Sequence, residues 1–276
     1  MPKEKFLVMV TNDDGVQSPG IIALADAIAK FSKVKVIGPE SPQSAAGMSL
    51  TFHKPLRVNK LIVGKHGYFA VSGSPADSVM VGVHKILPRR PDVVVSGINI
   101  GDNISIQDIL ASGTIAAALQ AALLGIPAIA FSMDVPEEKT FLLGTEYPEF
   151  QSAAKVAAQI TREVLLEGLP TGVDLLNVNF PWEMNAKTPV KITTVERRKY
   201  KDYVIERKDP RGRPYFWLWG ARLGQVKVNS DAYAIQKEHA ISISPISLNF
   251  SSPPDKAIRG LGERIRWRIR KNADWQ

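Results

Sequence analysis

The chain of 276 residues is long enough for one large domain or for a domain with a substantial extension. Hydrophobic residues make up 45% of it and charged residues 22%, as in an ordinary globular protein with a sizeable core. It contains no cysteine, which excludes disulfides, thiolate metal sites and cysteine nucleophiles. The first apolar stretch, in MPKEKFLVMVTNDDG, is too short for a signal-peptide core or a membrane span. We therefore expect a cytoplasmic protein.

The net charge is +8, and much of the excess lies late in the chain, in residues 196–215 and 258–272. A basic balance is typical of proteins that bind nucleic acid, anionic lipid or a phosphorylated small molecule, and it also serves solubility alone. The basic segments do not surround the acidic stretch near the start of the chain. That separation disfavours a nucleic-acid partner, and we expect no membrane partner.

Up to Pro181 the chain alternates strand-like and helix-like segments. Apolar runs bounded by turn residues predict buried strands. Amphipathic or alanine-rich runs predict helices, the first of them entered through Ser18 as a candidate N-cap and Pro19. In chain order the predicted elements are strand 5–12, helix 18–31, strand 34–39, two short strands within 54–73 with a turn near Gly64 to Gly67, helix 74–87, strand 91–97, helix 112–125, strand 126–133, helix 149–168 and strand 173–181. This rhythm predicts an α/β fold, a parallel sheet with helices on both faces.

After Pro181 the pattern changes. Residues 191–220 alternate charged residues with aromatic or β-branched ones around the turn sequence DPRGRP. That predicts a long β-hairpin projecting from the domain, whose aromatic side chains favour a partner surface. We expect three regions. They are an α/β core over 1–185, a hairpin arm with returning strand and helix elements over 186–250, and a basic tail over 251–276.

Four loops rich in small or oxygen-bearing residues fall at the ends of predicted strands or at a helix start. They are NDDG (12–15), SPQSAAGMS (41–49), SGINIGDN (96–103) and ASGT (111–114). In a parallel sheet, ligands bind beyond the carboxyl ends of the strands, where such loops converge. Asp13 and Asp14 repel each other unless a cation lies between them, and Mg²⁺ prefers oxygen ligands. Asn99 and Ser44 are candidate neutral ligands.

Taken alone, the acidic pair has a simpler interpretation, in which Asp13 caps the next turn and Asp14 is solvated. The three further oxygen-rich loops favour the metal site instead. The SGT sequence has two interpretations that can both hold. Ser112 or Thr114 caps the following helix, or free N–H groups near the helix start bind a phosphate with the helix dipole. The chain has no P-loop, no dinucleotide-binding fingerprint after the first strand and no zinc-like histidine spacing.

Seven motifs stand in order over roughly residues 5–250 and together resemble the SurE family, the stationary-phase survival nucleotidases. They are VTNDDGVQSPGIIALADAI, GPESPQSAAGMSLT, GSPADSV, DVVVSGINIGDN, SGTIAAAL, LLNVNFP and DPRGRPYFWLWG. The resemblance implies a metal-dependent phosphatase of nucleoside 5′- and 3′-monophosphates with a Rossmann-like core. It also implies dimers or tetramers formed through a swapped C-terminal arm. The metal ligands that it implies are Asp13, Asp14, Ser44 and Asn99.

Two positions depart from the family pattern within the candidate site. Ala45 stands where a glycine is usual, and Ala111 stands where a tyrosine often precedes SGT. Ala45 bears on how closely the loop backbone approaches a phosphate.

We therefore expect phosphomonoester hydrolysis with one divalent ion per subunit, Mg²⁺ or Mn²⁺. Asp13 and Asp14 are the expected catalytic residues, and the general base is open between one of them and metal hydroxide. The expected substrate contacts are Asn99, Ser112, Gly113 and Thr114. Two alternatives stay open, a nucleic-acid or polyphosphate binding protein that uses the basic arm, and a phosphatase of non-nucleotide phosphates. The aromatic hairpin serves either subunit exchange or the stacking of a base.

Overall fold

A computed structural model describes residues 5–63, 66–136 and 149–271 of the protein. The first part of the predicted turn at Gly64 lies outside the described residues. The chain divides into two compact units, of which the first ends at Ile246 and the second begins at Ser247. The division into three regions stays a prediction.

Within the described residues, the first unit is built on a nine-stranded sheet. Its strands are β1 (Leu7–Thr11), β2 (Lys33–Pro39), β3 (Val58–Val63), β4 (His66–Val71), β5 (Val93–Ile100), β6 (Ala128–Met133), β7 (Leu175–Phe180), β8 (Val190–Ile192) and β11 (Ile241–Ile246). The spatial order is β3-β4-β2-β1-β5-β6-β7-β11-β8. Only β3 on β4 and β11 on β7 pair antiparallel among these strands. The predicted, mainly parallel sheet is confirmed.

Helices cover both faces of this sheet. In the first unit the helices are α1 (Pro19–Ile28), α2 (Pro75–Val81), α3 (Ser105–Ala111), α4 (Gly113–Leu123), α5 (Gln151–Glu167) and α6 (Asp231–Gln236). The second unit contains α7 (Lys256–Lys271). Helices α1 and α5 pack on one face with Val8 and Val10 of β1, and α2 and α4 pack on the other with Met9. Because successive side chains of a strand point to opposite faces, β1 contributes to the hydrophobic core on each face of the sheet.

Two details of the predicted helices differ from the structure. Ser18 precedes α1, but its hydroxyl accepts a hydrogen bond from Asn12 Nδ2 at 2.8 Å and makes no cap bond to the helix. Ser18 therefore occupies the N-cap position as predicted, with its carbonyl accepting from the N–H of Ile22 at 3.3 Å, but its side chain does not cap the helix. The helix predicted over 74–87 is α2, closed at its start by a capping box between Ser74 and Asp77, followed by a π-helical turn over Gly82–Ile86.

The predicted hairpin is confirmed. Strands β9 (Tyr200–Lys208) and β10 (Pro214–Arg222) pair antiparallel along their whole length, with Lys208 opposite Pro214 and Tyr200 opposite Arg222. Among the described residues these two strands form a sheet of their own. Phe216, Trp217 and Leu218 on β10 are 61%, 59% and 83% exposed.

No single helix in the described ranges is both long enough and apolar enough to cross a membrane. Helices α3 and α4 meet that length and composition only when taken together, with a 76° bend between them. Helix α4 contributes to the buried core.

Candidate active site

The loop after β1 is fixed by Asn12. Its side-chain amide donates to the carbonyl of Gly15 at 2.9 Å and to the hydroxyl of Ser18 at 2.8 Å. Asn12 is fully buried, so this turn from β1 into α1 has one defined conformation. It places Asp13 and Asp14 at the carboxyl end of a central strand, where parallel sheets bind ligands.

Asp13 lies against the start of α4. Its Oδ1 accepts a hydrogen bond from the hydroxyl of Thr114, which is 101 residues later in the chain. Its backbone carbonyl accepts a hydrogen bond from the N–H of Gln43 at 2.8 Å. The residue is only 5% exposed. Asp13 therefore joins three of the four loops singled out in the sequence.

Asp14 lies against the fourth loop, after β5. Its Oδ2 is 3.4 Å from the N–H of Ile100. Strands β1 and β5 run parallel with Thr11 opposite Ser96, so Asp14 and Asn99 each stand three residues beyond a paired position. The amide nitrogen of Asn99 donates to the carbonyl of Gly101 at 2.8 Å. That bond fixes which end of the Asn99 amide is nitrogen and leaves its oxygen as the atom for a ligand.

Ser44 lies in a loop that is held on both sides. Beside it, Gln43 bonds to Asp13, and beyond it the N–H of Gly47 donates to the carbonyl of Ala111 at 2.9 Å. The Ser44 residue is exposed. Its neighbour Ala45 has a φ of 56°, a left-handed conformation that costs a residue with a β-carbon about 1–2 kcal/mol. The backbone here is therefore one that a glycine would adopt without strain.

Gly113 allows α4 to approach the first aspartate. A β-carbon on Gly113 would lie 2.7 Å from the β-carbon of Asp13 and 3.0 Å from its Oδ2. The hydroxyl of Ser112 accepts a hydrogen bond from the N–H of Ile115 at 3.2 Å, so Ser112 is the helix cap. The backbone N–H groups of Gly113 and Thr114 lie near the carboxylate of Asp13 and favour its ionised form, which lowers its pKa. The positive end of the α4 dipole therefore faces a carboxylate.

Burial raises the pKa of both aspartates, because an ionised carboxylate loses solvation away from water. For Asp13 this effect outweighs the hydrogen bonds from Thr114 and Gly113 that favour the ionised form. The pKa of Asp14 rises to about 7 through burial and the neighbouring charge of Asp13. In the part of the chain that the structure describes, no lysine or arginine forms an ion pair with either aspartate.

The donors gathered here fit a hard divalent cation. Two carboxylates, an amide oxygen from Asn99 and a hydroxyl from Ser44 are all oxygen ligands, as Mg²⁺ and Mn²⁺ prefer. Within the described ranges, no three His, Cys, Asp or Glu side chains are placed to hold a metal ion. A cation at this site would therefore have two carboxylates and otherwise neutral ligands. The residues fit a cation because two adjacent carboxylates, Asp13 buried and Asp14 half-buried, have no basic partner among the described residues.

A second charged cluster connects the base of the hairpin to two of the site loops. Lys199, only 3% exposed, forms ion pairs with Asp102 and Asp108. Asp102 follows Asn99 by three residues, and Asp108 lies in α3, which leads into Ser112. Burial lowers the pKa of Lys199, but the two carboxylates raise it well above its usual value. Burial raises the pKa of Asp108 to about 6 against the opposing effect of Lys199.

A cleft of about 950 Å³ opens beside this cluster. It is lined by Gly101 and Asp102 and by hairpin residues that include the aromatic side chains of Tyr200, Tyr203 and Trp219. Its volume is typical of a small-molecule site. The carbonyl of Gly101 is the one that Asn99 holds, so the cleft begins next to a candidate metal ligand.

The structure thus brings the four oxygen-rich loops together, and three contributions were not predicted. The hydrogen bonds by which Asn12 fixes its turn could have been predicted from the sequence, because Asn favours side-chain hydrogen bonds to the backbone of its own turn. The N–H of Gln43 has none, since any residue supplies one. Lys199 has none either, because a lysine within a charged run predicts an exposed side chain.

Comparisons with known proteins identify the family of the chain. The family model of the Survival protein SurE matches residues 8–202. The 5′-nucleotidase SurE of Hyperthermus butylicus is 46% identical over 243 residues, 88% of this chain and 85% of that protein. The 5′-nucleotidase SurE of Methanosarcina mazei is 43% identical over 251 residues, 90% and 94% of the two chains. The crystal structure of the SurE protein from Aquifex aeolicus has a TM-score of 0.78 at 35% identity and covers 93% of this chain and 99% of its own. The chain belongs to the SurE survival protein family.

Proposed function

We propose that this protein is a divalent-metal-dependent 5′-nucleotidase that hydrolyses nucleoside 5′-monophosphates, and also 3′-monophosphates, to nucleoside and phosphate. The observation that carries the proposal is the adjacent pair of Asp13, which is buried, and Asp14, which is half-buried. Thr114 and Ile100 hold them, and no basic residue pairs with either among the described residues. The names of the curated relatives support the same activity.

Asp13, Asp14, Ser44 and Asn99 would hold the cation, Mg²⁺ or Mn²⁺. When bound, the cation supplies charge neutralisation on the phosphate and activation of water. The protein's own part is positioning. Thr114 fixes the side-chain orientation of Asp13, and the carbonyl of Gly101 fixes that of Asn99. The start of α4, at Ser112 to Thr114, is the element proposed to lie beside the phosphate.

The nucleoside half of the substrate is proposed to occupy the cleft beside Gly101. The aromatic rings of Tyr200, Tyr203 and Trp219 line that cleft. Each base has an aromatic face, so rings of this kind stack on purines and pyrimidines alike. This placement is supported by the short separation along the chain between Asn99 and Gly101.

The hairpin is proposed to pack on a second copy of the chain, in a homodimer or homotetramer. Its support is the exposed apolar side chains on both faces of β10, with Phe216 and Leu218 on one face and Trp217 on the other. Apolar patches of this kind mark association surfaces. The cytoplasm is the proposed compartment, in keeping with a chain that has no cysteine to oxidise.

Activity on a substrate panel tests the proposal. The purified protein is treated with chelator, Mg²⁺ or Mn²⁺ is restored, and phosphate release is followed from 5′-AMP, 3′-AMP, 5′-UMP and a chromogenic phosphomonoester. We expect metal-dependent release, fastest from the 5′-nucleotides. Asp13→Asn is expected to lose it, whereas Asp26→Asn, at an exposed position on α1, keeps it. Full activity in chelator would refute the metal requirement, and preference for the non-nucleotide ester would refute the nucleotidase.

A further inference from the structure

The loop after β5 returns to the sheet at Asn103, shortly after Asn99 in the chain. Asn99 is in register with Ser132 of β6. The side-chain amide of Asn103 donates to the hydroxyl of that same serine at 2.8 Å. The loop therefore begins and ends beside Ser132, and Gly101, which lines the cleft, lies between its two ends.

Two amide side chains of β7 complete the attachment of Asn103. Its N–H donates to Oδ1 of Asn179 at 2.8 Å, and its carbonyl accepts from Nδ2 of Asn177 at 2.8 Å. Nδ2 of Asn179 also donates to Oδ1 of Asn177 at 3.3 Å, so the two amides support each other. Ser132, Asn177 and Asn179, here called the polar anchor, are all fully buried.

The polar anchor is not needed to keep this segment on the protein. The next residue, Ile104, is fully buried and clusters with Ala232 and Ile235 of α6, so apolar contact already attaches the chain here. Apolar contact is non-directional, whereas hydrogen bonds fix both distance and angle. Three hydrogen bonds to one residue therefore add a defined position for Asn103.

That position is passed to Asn99 through a short loop. The N–H of Gly101 donates to the carbonyl of Met133 at 2.9 Å, and the carbonyl of Gly101 accepts from the side-chain amide of Asn99. A loop this short, held at both ends and in the middle, leaves its residues little freedom. A shift of Asn103 would therefore move Gly101 and, with it, the oxygen of Asn99. Loss of groups that orient a metal ligand typically costs about 10–100-fold in metal affinity or activity.

We infer that Ser132, Asn177 and Asn179 are positioning residues, which fix the oxygen of Asn99 for metal binding by holding Asn103. The inference rests on the proposed function and deepens it, since Asn99 is a ligand of the proposed metal site. The competing role is structural, in which the polar anchor only pairs the buried backbone groups of Asn103. Both roles predict a loss of stability when the anchor is broken, but only positioning predicts weaker metal binding by the folded protein.

Two serine substitutions form a matched pair for this test. Ser132→Ala and Ser244→Ala each remove a fully buried hydroxyl and one side-chain hydrogen bond of 2.8 Å, but the partner of Ser244 is Thr193, away from the loop. We expect both to lower the urea midpoint. Mn²⁺ titrated into the chelator-treated full chain should bind Ser132→Ala about three- to tenfold more weakly than Ser244→Ala. Hydrogen exchange over residues 99–103 without metal should be faster in Ser132→Ala. Equal affinities for Mn²⁺ would overturn the inference.

A double-mutant cycle tests the route through Asn99. Ser132→Ala should cause no further loss of Mn²⁺ affinity when Asn99 is already alanine, because its effect passes through the oxygen that Asn99→Ala removes. Asn179→Leu breaks two bonds of the polar anchor at similar side-chain volume and should weaken Mn²⁺ binding about 10–100-fold. If Asn179→Leu does not fold, the cycle with Ser132→Ala decides the question. An equal loss in both backgrounds would mean that Ser132 does not act through Asn99.

Phosphate release from 5′-AMP, measured on the same preparations, keeps the inference separate from the proposed function. Wild-type protein that binds Mn²⁺ but releases no phosphate would refute the nucleotidase, and the affinities of the two serine variants would still decide the inference. Wild-type protein that binds no Mn²⁺ would refute both. An active wild type with equal Mn²⁺ affinity in Ser132→Ala and Ser244→Ala would refute the inference alone.

Discussion

The β-carbon position of Gly113 lies 2.7 Å from the β-carbon of Asp13, although the two residues are far apart in sequence. Two segments meet here with no room for a methyl group. The close approach lets the hydroxyl of Thr114, at the start of α4, donate a hydrogen bond to the carboxylate of Asp13. The geometry of the candidate site therefore depends on a glycine as much as on its acidic residues.

Gly113→Ala is expected to shift α4 away from Asp13. Overpacking of this kind costs about 1–3 kcal/mol of the free energy of unfolding. A displacement near 1 Å in a catalytic site costs on the order of 100-fold in rate. Urea denaturation and kcat/KM for 5′-AMP measure the two effects. Gly67→Ala is the matched control, because a β-carbon there meets nothing within 4 Å. Equal behaviour of the two variants would show that the close approach is dispensable.

Asp14→Asn separates metal binding from folding. The substitution removes one of two adjacent like charges, so the free energy of unfolding of the chelator-treated variant should lie within about 1 kcal/mol of the wild-type value or above it. Mn²⁺ at about 100 times its Kd should stabilise the wild type by about 2.7 kcal/mol and the variant hardly at all. Thermal denaturation with and without Mn²⁺ provides the comparison. Equal stabilisation of both proteins would remove Asp14 from the metal site.

Asp108 gives stability an unusual dependence on pH. Its pKa is raised to about 6, so between about pH 4 and 6 the folded chain holds a proton that the unfolded chain releases. The stability contributed by this group is present below pH 4 and is lost as the pH rises towards 6. Relative to the wild type, Asp108→Asn should gain up to about 3 kcal/mol between pH 4 and 7. Urea denaturation across that range measures it, and a constant difference would contradict the shift.

Lys199 is expected to be essential for stability. Lys199→Met leaves Asp102 and Asp108 buried without their cation, which costs about 3–5 kcal/mol. Lys199→Arg keeps the charge and should recover part of that loss. Because these aspartates flank the Asn99 loop and the start of α4, we expect kcat/KM to fall with Met and to recover partly with Arg. Equal stability of the two variants would show that packing, and not charge, matters at this position.

Ala45→Gly is expected to stabilise the protein. The left-handed φ of 56° costs alanine about 1–2 kcal/mol, which glycine avoids. Glycine in turn lowers the free energy of unfolding by about 0.4–1 kcal/mol, because it increases the conformational entropy of the unfolded chain. The net gain should be about 0.5–1 kcal/mol in the free energy of unfolding. Chemical denaturation measures it, with kcat/KM expected to be unchanged. A loss of stability would mean that the methyl group makes a contact that outweighs the strain.

The sheet and the meeting of the four loops were predictable for a physical reason. A strand buried on both faces needs an unbroken apolar run such as Leu7–Thr11, and the residues after it must turn. Because β1 and β5 are parallel neighbours, their following loops had to lie at the same edge. The sequence alone therefore predicts that Asp13, Asp14 and Asn99 lie near one another.

The burial of Lys199 and the positions of two helices could not be predicted, because they do not follow from any local sequence pattern. Lys199 is buried by residues 91 and 97 positions away, and its own neighbours in sequence suggest an exposed side chain. Helix α3 has only seven residues, too few for its periodicity to stand out. The sequence predicts only a basic tail where helix α7 lies, because its alternating arginines obscure the aliphatic residues, which align only in a helical conformation.

The hairpin can also be considered as a lever. Nine residue pairs at about 3.4 Å each make an arm roughly 30 Å long, whereas the radius of gyration of a unit this size is about 18 Å. Lys199, which is held by Asp102 and Asp108, lies at the base of this arm, where a tilt of the hairpin would pivot. A tilt of about 5° there moves the tip by nearly 3 Å over that length. A force applied to the tip therefore acts on the loops of Asn99 and Ser112 with a moment arm of about 30 Å.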